Sequence, residues 1–202
     1  ACSDNDVKLM IGYRLHFEAA NLEAVEIAQS GKLGDLRLFD SVFSMQVRPG
    51  NIRVQRAHGG GSVYDIGIYC INAARYIFAD DPIEVFAWDG TNGDKRFKEV
   101  DEMTSVLLRF PHQRLATFTC SFNGPGVKRY TIHGTQGTLT VDPAYDYAEQ
   151  LKHRVTIDGR AAEKVFPKSD QFAAELTYFA DCLLKDKDPE PDGWEGLADV
   201  GI

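Results

Sequence analysis

At 202 residues, with 44% hydrophobic and 11% aromatic side chains, the chain holds enough apolar material for a substantial core in one generous domain or two small ones. A formal net charge of -8 and the lack of any Lys/Arg cluster exclude nucleic acid as a partner, and no apolar run approaches a membrane span. The four cysteines (Cys2, Cys70, Cys120, Cys182) form no C-x-x-C pair and the five histidines no H-x-x-x-H spacing, so no metal site is expected and each cysteine reads as a reduced core residue.

In chain order, Lys8 to Tyr13 reads as a short buried strand ending near a glycine. A helix follows from about Glu18 to Ser30, stopped by Gly31 in a left-handed cap. Leu36 to Val47 alternates apolar and polar residues and predicts a strand. A loop carrying Arg48, Arg53 and Arg56 leads to Gly59-Gly60-Gly61, which opens a helix from about Ser62 to Phe78; Pro82 lies where that helix can no longer continue. Strands are then expected at Ile83 to Trp88, Thr104 to Phe110, Leu115 to Phe122, Arg129 to His133, Thr138 to Val141 and Val155 to Ile157. Turn signals such as Asn92-Gly93, Thr135-Gln136-Gly137 and Asp158-Gly159 separate them, which implies antiparallel pairing. Ser169-Asp170 caps a helix whose Phe172, Leu176, Phe179 and Leu183 recur at helical spacing, and Glu195 to Ile202 begins another. The fold class expected is α+β: an open, mostly antiparallel sheet with helices packed on one face.

The segment from Gly59 to Asn72 is apolar or tiny nearly throughout, as in a buried helix. Asp65, Tyr69 and Asn72 stand out as polar residues at i, i+4 and i+7, on one face. Two readings compete. In the structural one, Ser62 and Asp65 form a capping box and Tyr69 is a core tyrosine with a bonded hydroxyl. In the functional one, the three polar groups face a ligand. The glycine triplet lacks both the Rossmann spacing and the Walker lysine, so it fits close backbone approach better than a phosphate loop.

These residues carry a resemblance. Ile11-Gly12-Tyr13-Arg14-Leu15-His16, the block Gly59 to Tyr76, Pro82-Ile83-Glu84-Val85, Gly134 to Pro143 and Asp170 to Leu184 resemble the Gfo/Idh/MocA oxidoreductase family, and within it the glucose–fructose oxidoreductase branch. Members have an N-terminal Rossmann domain, with a glycine fingerprint and a lysine in a Glu-Lys-Pro motif, followed by an open sheet domain. Neither motif occurs here. The resemblance therefore implies that residues 1–12 are the tail of a nucleotide-binding domain and residues 13–202 a substrate-binding and oligomerisation domain cut short in its last helix. Because Ala1 is not a natural start, further sequence is expected ahead of it.

By the same resemblance, Asp65 and Tyr69 match the family's acid and tyrosine beside sugar and nicotinamide. Tyr13 and Arg14 match positions near an NADP or NAD cofactor held mainly by the other domain. Asn72, His16 and Arg53 are the remaining candidates for substrate contact; the alternative is plain packing at a domain seam for Tyr13, Arg14 and His16, and a solvated loop cation for Arg53. The implied activity is oxidation or reduction at the CH-OH carbon of a sugar or polyol, with this chain alone inactive. The alternative is a non-catalytic sheet module for assembly or carbohydrate binding. Homo-dimers or homo-tetramers are expected through the open sheet, with strands such as Leu115 to Cys120 turning apolar groups onto it. The compartment expected is the cytoplasm, or the periplasm where an export signal lies upstream.

Overall fold

In the computed structural model, which describes residues 1–202, eight strands form one open sheet. They are β1 (Leu36–Gln46), β2 (Glu84–Gly90), β3 (Met103–Phe110), β4 (Arg114–Ser121), β5 (Asn123–Gly134), β6 (Gly137–Val141), β7 (Leu151–Ile157) and β8 (Arg160–Phe166). Their spatial order is β2-β3-β4-β1-β5-β6-β7-β8. Every neighbouring pair but one is antiparallel, and short turns join β3 to β4, β5 to β6 and β7 to β8. β1 lies parallel to β4, with Phe39 beside Ala116 and Phe43 beside Cys120; the intervening helix and strand pair supply the long connection a parallel pair needs. The expected α+β architecture holds.

Four helices complete the chain: α1 (Ala19–Gln29), α2 (Ile68–Phe78), α3 (Gln171–Leu184) and α4 (Gly193–Gly201). The Glu18 side chain caps α1 by accepting from Asn21 N–H, and Gly31 follows in the left-handed region at φ +76°. Ala20, Ala24 and Ala28 lie on one buried face of α1, small enough for close approach to its neighbours. On α2, Cys70, Ala74 and Ile77 point into a core shared with Phe39, Phe43, Phe118 and Ile132 of the sheet. Each such phenylalanine contributes about 1.5–3 kcal/mol by leaving water. No helix is long and apolar enough to cross a membrane.

Several expectations are corrected. Residues 8 to 13 form no strand: Ile11 N–H bonds the Pro191 carbonyl, and no ladder extends from it. β8 was invisible in the sequence because its side chains, Arg160 to Val165, are all exposed and present no apolar face. On β1 the core residues are Phe39, Ser41 and Phe43, while Leu38 faces out. On β4 the phase is likewise reversed from expectation: Ala116, Phe118 and Cys120 are buried, and Thr117 and Thr119 occupy the open face. The apolar residues of that face come from the edge instead, where Phe86, Trp88, Met103 and Leu107 lie exposed on β2 and β3. The apolar stripe of α3 points outward, with Phe172, Leu176 and Leu183 exposed and Gln171, Glu175 and Cys182 turned inward. All four cysteines are unbridged; Cys2, near the chain start, is only partly buried.

Candidate active site

The segment that opens α2 does not start as an ordinary helix. Val63–Gly67 forms a wide turn in which Ile68 N–H reaches back to the Val63 carbonyl, the kind of bulge that frequently marks functional sites. The capping-box reading fails here. Ser62 makes no cap bond, and its hydroxyl sits 3.5 Å from that of Thr104 in the core. Asp65, released from capping, accepts from Arg53 Nε at 2.6 Å. Arg53 is exposed yet paired: the loop before the glycines returns to hold the acid after them.

Gly60 explains how that return is possible. A Cβ there would lie 2.5 Å from the Arg53 carbonyl oxygen and 2.8 Å from that of Gln55. The close backbone approach expected of the triplet is therefore made to its own loop. Arg56, beside it, bonds Glu99 through its backbone N–H and side chain.

Asp65, Tyr69 and Asn72 do share a face. With Tyr13, Arg14 and Tyr64 they line one cleft of about 220 Å³. The Tyr69 ring is held edge-on by Phe43 at 5.5 Å, with the ring of Tyr145 at 5.9 Å. The Arg14 guanidinium stands 5.2 Å from the Tyr69 ring centroid, within cation–π range. Arg14 itself is buried, donating to Gln171 Oε1 at 2.6 Å and to the Tyr145 carbonyl at 2.7 Å. A positive charge is thereby built into the cleft wall against the phenol of Tyr69.

His16 stands apart from the others. Its Nε2 lies 2.8 Å from Asn72 Oδ1, and the ring lines a separate cavity of about 520 Å³ with Tyr76, Tyr178, Leu22 and Val25. That cavity is larger but mostly apolar, and it lacks the acid–phenol pair; the buried Tyr76 hydroxyl there has no hydrogen-bond partner. Burial pushes the His16 pKa below its ordinary value, partly offset by Asn72. Tyr13 is shifted the other way: burial and the adjacent Asp199 carboxylate drive its phenol well above the usual range.

Gln171, Glu175 and Asp199 join the site without any local sequence signal. Glu175 is buried near Gly12, its Oε1 without a partner, and burial raises its pKa. Asp199, 1% exposed in α4, accepts from Asn72 Nδ2 at 2.8 Å and Arg75 Nη1 at 2.6 Å. Its partners lie more than a hundred residues upstream, where no local pattern could reveal them. No group of three or more His, Cys, Asp or Glu side chains converges as a metal site would require.

Comparison with known proteins identifies the family and the fold. The GFO/IDH/MocA C-terminal domain family matches residues 21–140. D-xylose 1-dehydrogenase [NADP(+)] of Haloarcula marismortui is 32% identical over 98% of this chain and 57% of its own length. The aldose-aldose oxidoreductase of Caulobacter crescentus, solved with glycerol, superposes with a TM-score of 0.92 at 34% identity, over 99% of this chain and 61% of that one. The 3-ketoreductase KijD10 of Actinomadura kijaniata, solved with NADP and TDP-benzene, shares the fold at a TM-score of 0.86 and 24% identity, over 98% of this chain and 61% of its own. The chain thus spans about three fifths of the length of these relatives and belongs to the Gfo/Idh/MocA oxidoreductase family, whose C-terminal domain it carries.

Proposed function

We propose that this chain is the substrate side of an NADP- or NAD-dependent oxidoreductase acting on the CH-OH group of a sugar or polyol. The nucleotide-binding half would lie outside these 202 residues. The observation that carries the reading is the cleft in which Asp65 and Tyr69 meet, with Arg14 against the phenol and Arg53 on the acid. The relatives named above, an NADP-linked xylose dehydrogenase and an aldose-aldose oxidoreductase, support an aldose as substrate. The glucose–fructose pair is one candidate within that class.

The roles follow from the chemistry. A nicotinamide cofactor, when bound, supplies the hydride acceptor or donor. The substrate hydroxyl must lose its proton as the carbinol carbon is oxidised, and Tyr69 would take it. A phenol is a poor base unless a cation stabilises its anion; by the family resemblance a lysine of the nucleotide-binding half would do that, while Arg14 of this chain lies over the Tyr69 ring and holds it in place. Asp65, kept in place by Arg53, orients the substrate hydroxyl. Tyr13 and Arg14 are the residues of this chain that would meet the nicotinamide ring. The space beside Gly60 is taken by its own loop carbonyls, which only accept hydrogen bonds, so the phosphates of a dinucleotide would not be held there.

The outward apolar residues of α3 and α4 also support a further half. Phe172, Leu176 and Leu183 on α3 and Trp194, Leu197 and Val200 on α4 are exposed, more apolar surface than two adjacent helices ordinarily leave in water. A nucleotide-binding domain packed there would cover them, and this chain alone would be inactive. The test is nicotinamide absorbance of the full-length protein with a panel of aldoses, ketoses and polyols, beside this chain. Turnover by the full-length protein and silence from the chain support the reading; failure of the full-length protein to use any of them counts against it.

A second role is favoured by the open sheet face. Phe86 and Trp88 on β2 are 62% and 73% exposed and adjoin Leu107 and Met103. We infer that this edge is where copies of the chain meet as a homo-dimer or homo-tetramer.

A further inference from the structure

We propose that Asp199 is a positioning residue of the candidate site, which fixes the orientation of the Asn72 amide and, through it, the tautomer of His16. The inference rests on the oxidoreductase reading above and adds to it the residue that orders the far wall of the cleft.

Asp199 is buried on α4, and Arg75 Nη1 donates to its Oδ1 at 2.6 Å. A carboxylate paired with a guanidinium only accepts. The group 2.8 Å from its Oδ2 must therefore be the NH₂ of Asn72. That choice turns Asn72 Oδ1 toward His16, whose Nε2 is 2.8 Å away. An amide oxygen only accepts, so Nε2 must carry the imidazole proton and Nδ1 is left as the acceptor. Burial favours the neutral ring, so one tautomer is selected. The orientation of the amide, ordinarily ambiguous, is here dictated by a carboxylate 127 residues away.

Asp199 also faces the Tyr13 phenol. It thus bonds Asn72, which lines the cleft, and reaches His16 through it. Arg75 is held in turn by Asp81 and Glu195, so the buried guanidinium keeps partners even when Asp199 is changed.

Asp199→Asn makes a specific demand on this relay. Arg75 would retain the oxygen of the new amide, leaving its NH₂ toward Asn72. Two NH₂ groups cannot face each other, so Asn72 turns over, presents its own NH₂ to His16, and forces the proton from Nε2 to Nδ1. Long-range ¹H–¹⁵N spectra of the histidine-labelled chain, recorded above neutral pH, read this directly. The wild-type His16 is expected as the Nε2–H tautomer, and an Nδ1–H signal would overturn the proposal whether or not any variant folds. In Asp199→Asn the proton is expected on Nδ1; a signal still at Nε2 in a folded variant would overturn it too. In the full-length protein, Asp199→Asn should lower kcat on sugar by roughly 10- to 100-fold through misplacement of the cleft wall; an unchanged kcat would remove the positioning role. If the wild-type full-length protein turns over no sugar at all, the oxidoreductase reading fails while the spectra still decide the relay.

Discussion

Arg53 Nε donates to Asp65 Oδ2 at 2.6 Å, so the loop that precedes the glycine triplet restrains the acid that follows it. Arg53→Gln should leave Asp65 free to turn from the substrate. Loss of one orienting contact of this kind is expected to lower kcat/KM of the full-length protein by about 10-fold. Steady-state kinetics check it, and the fall should be smaller than that for loss of Tyr69.

Gly60→Ala tests the same linkage from the backbone. The added methyl would press on the Arg53 and Gln55 carbonyls at 2.5 and 2.8 Å, and these belong to a loop, not to a flexible side chain. Displacing that loop should draw Arg53 off Asp65. Activity is expected to fall at least as far as in Arg53→Gln, with a lowered Tm that Arg53→Gln does not show.

Stability should depend on pH through His153. Its ring is buried on β7, Nε2 donates to the Ala20 carbonyl at 2.8 Å, and burial lowers its pKa from the ordinary 6.5. The unfolded chain therefore binds a proton more readily than the native one. Above pH 6.5 the group costs the native state nothing; as pH falls below 6.5 toward the depressed native value, stability is lost. His16, shifted in the same direction, adds to the trend. Thermal melts between pH 8 and 5 should show Tm falling below about 6.5, with a shallower fall in His153→Gln. A variant with an unchanged slope would contradict this account of the histidine.

Much of the fold was readable in the sequence. The strands with one buried face and the helices with a cap, such as the one opened by Asp170, were legible because a single periodicity or a single side-chain bond decides them. β8 was not, since an edge strand with no apolar face carries no such signal. The outward stripe of α3 was misleading for the opposite reason: its apolar period is real, but the residues turned inward are Gln171 and Glu175. In the site, Asp65, Tyr69 and Asn72 could be grouped from spacing alone. Their partners could not, because Arg14, Gln171 and Asp199 are brought to them by tertiary contacts across much of the chain.

The open face offers a separate test of assembly. Replacing Phe86 and Trp88 together by Lys puts charge where the largest exposed apolar residues of that face lie. Light scattering behind size exclusion should show a smaller species than the wild type at the same concentration. An unchanged mass would remove these residues from the interface.

The Tyr69 hydroxyl is the centre of the proposed chemistry, and Tyr69→Phe isolates it, since the ring beneath Arg14 is retained and only the hydroxyl is lost. In the full-length protein, kcat for sugar oxidation should fall by roughly 10²–10⁴-fold, with Tm and cofactor affinity close to wild type. Near-wild-type turnover by Tyr69→Phe would contradict the assignment and leave Asp65 and Tyr69 as parts of the scaffold.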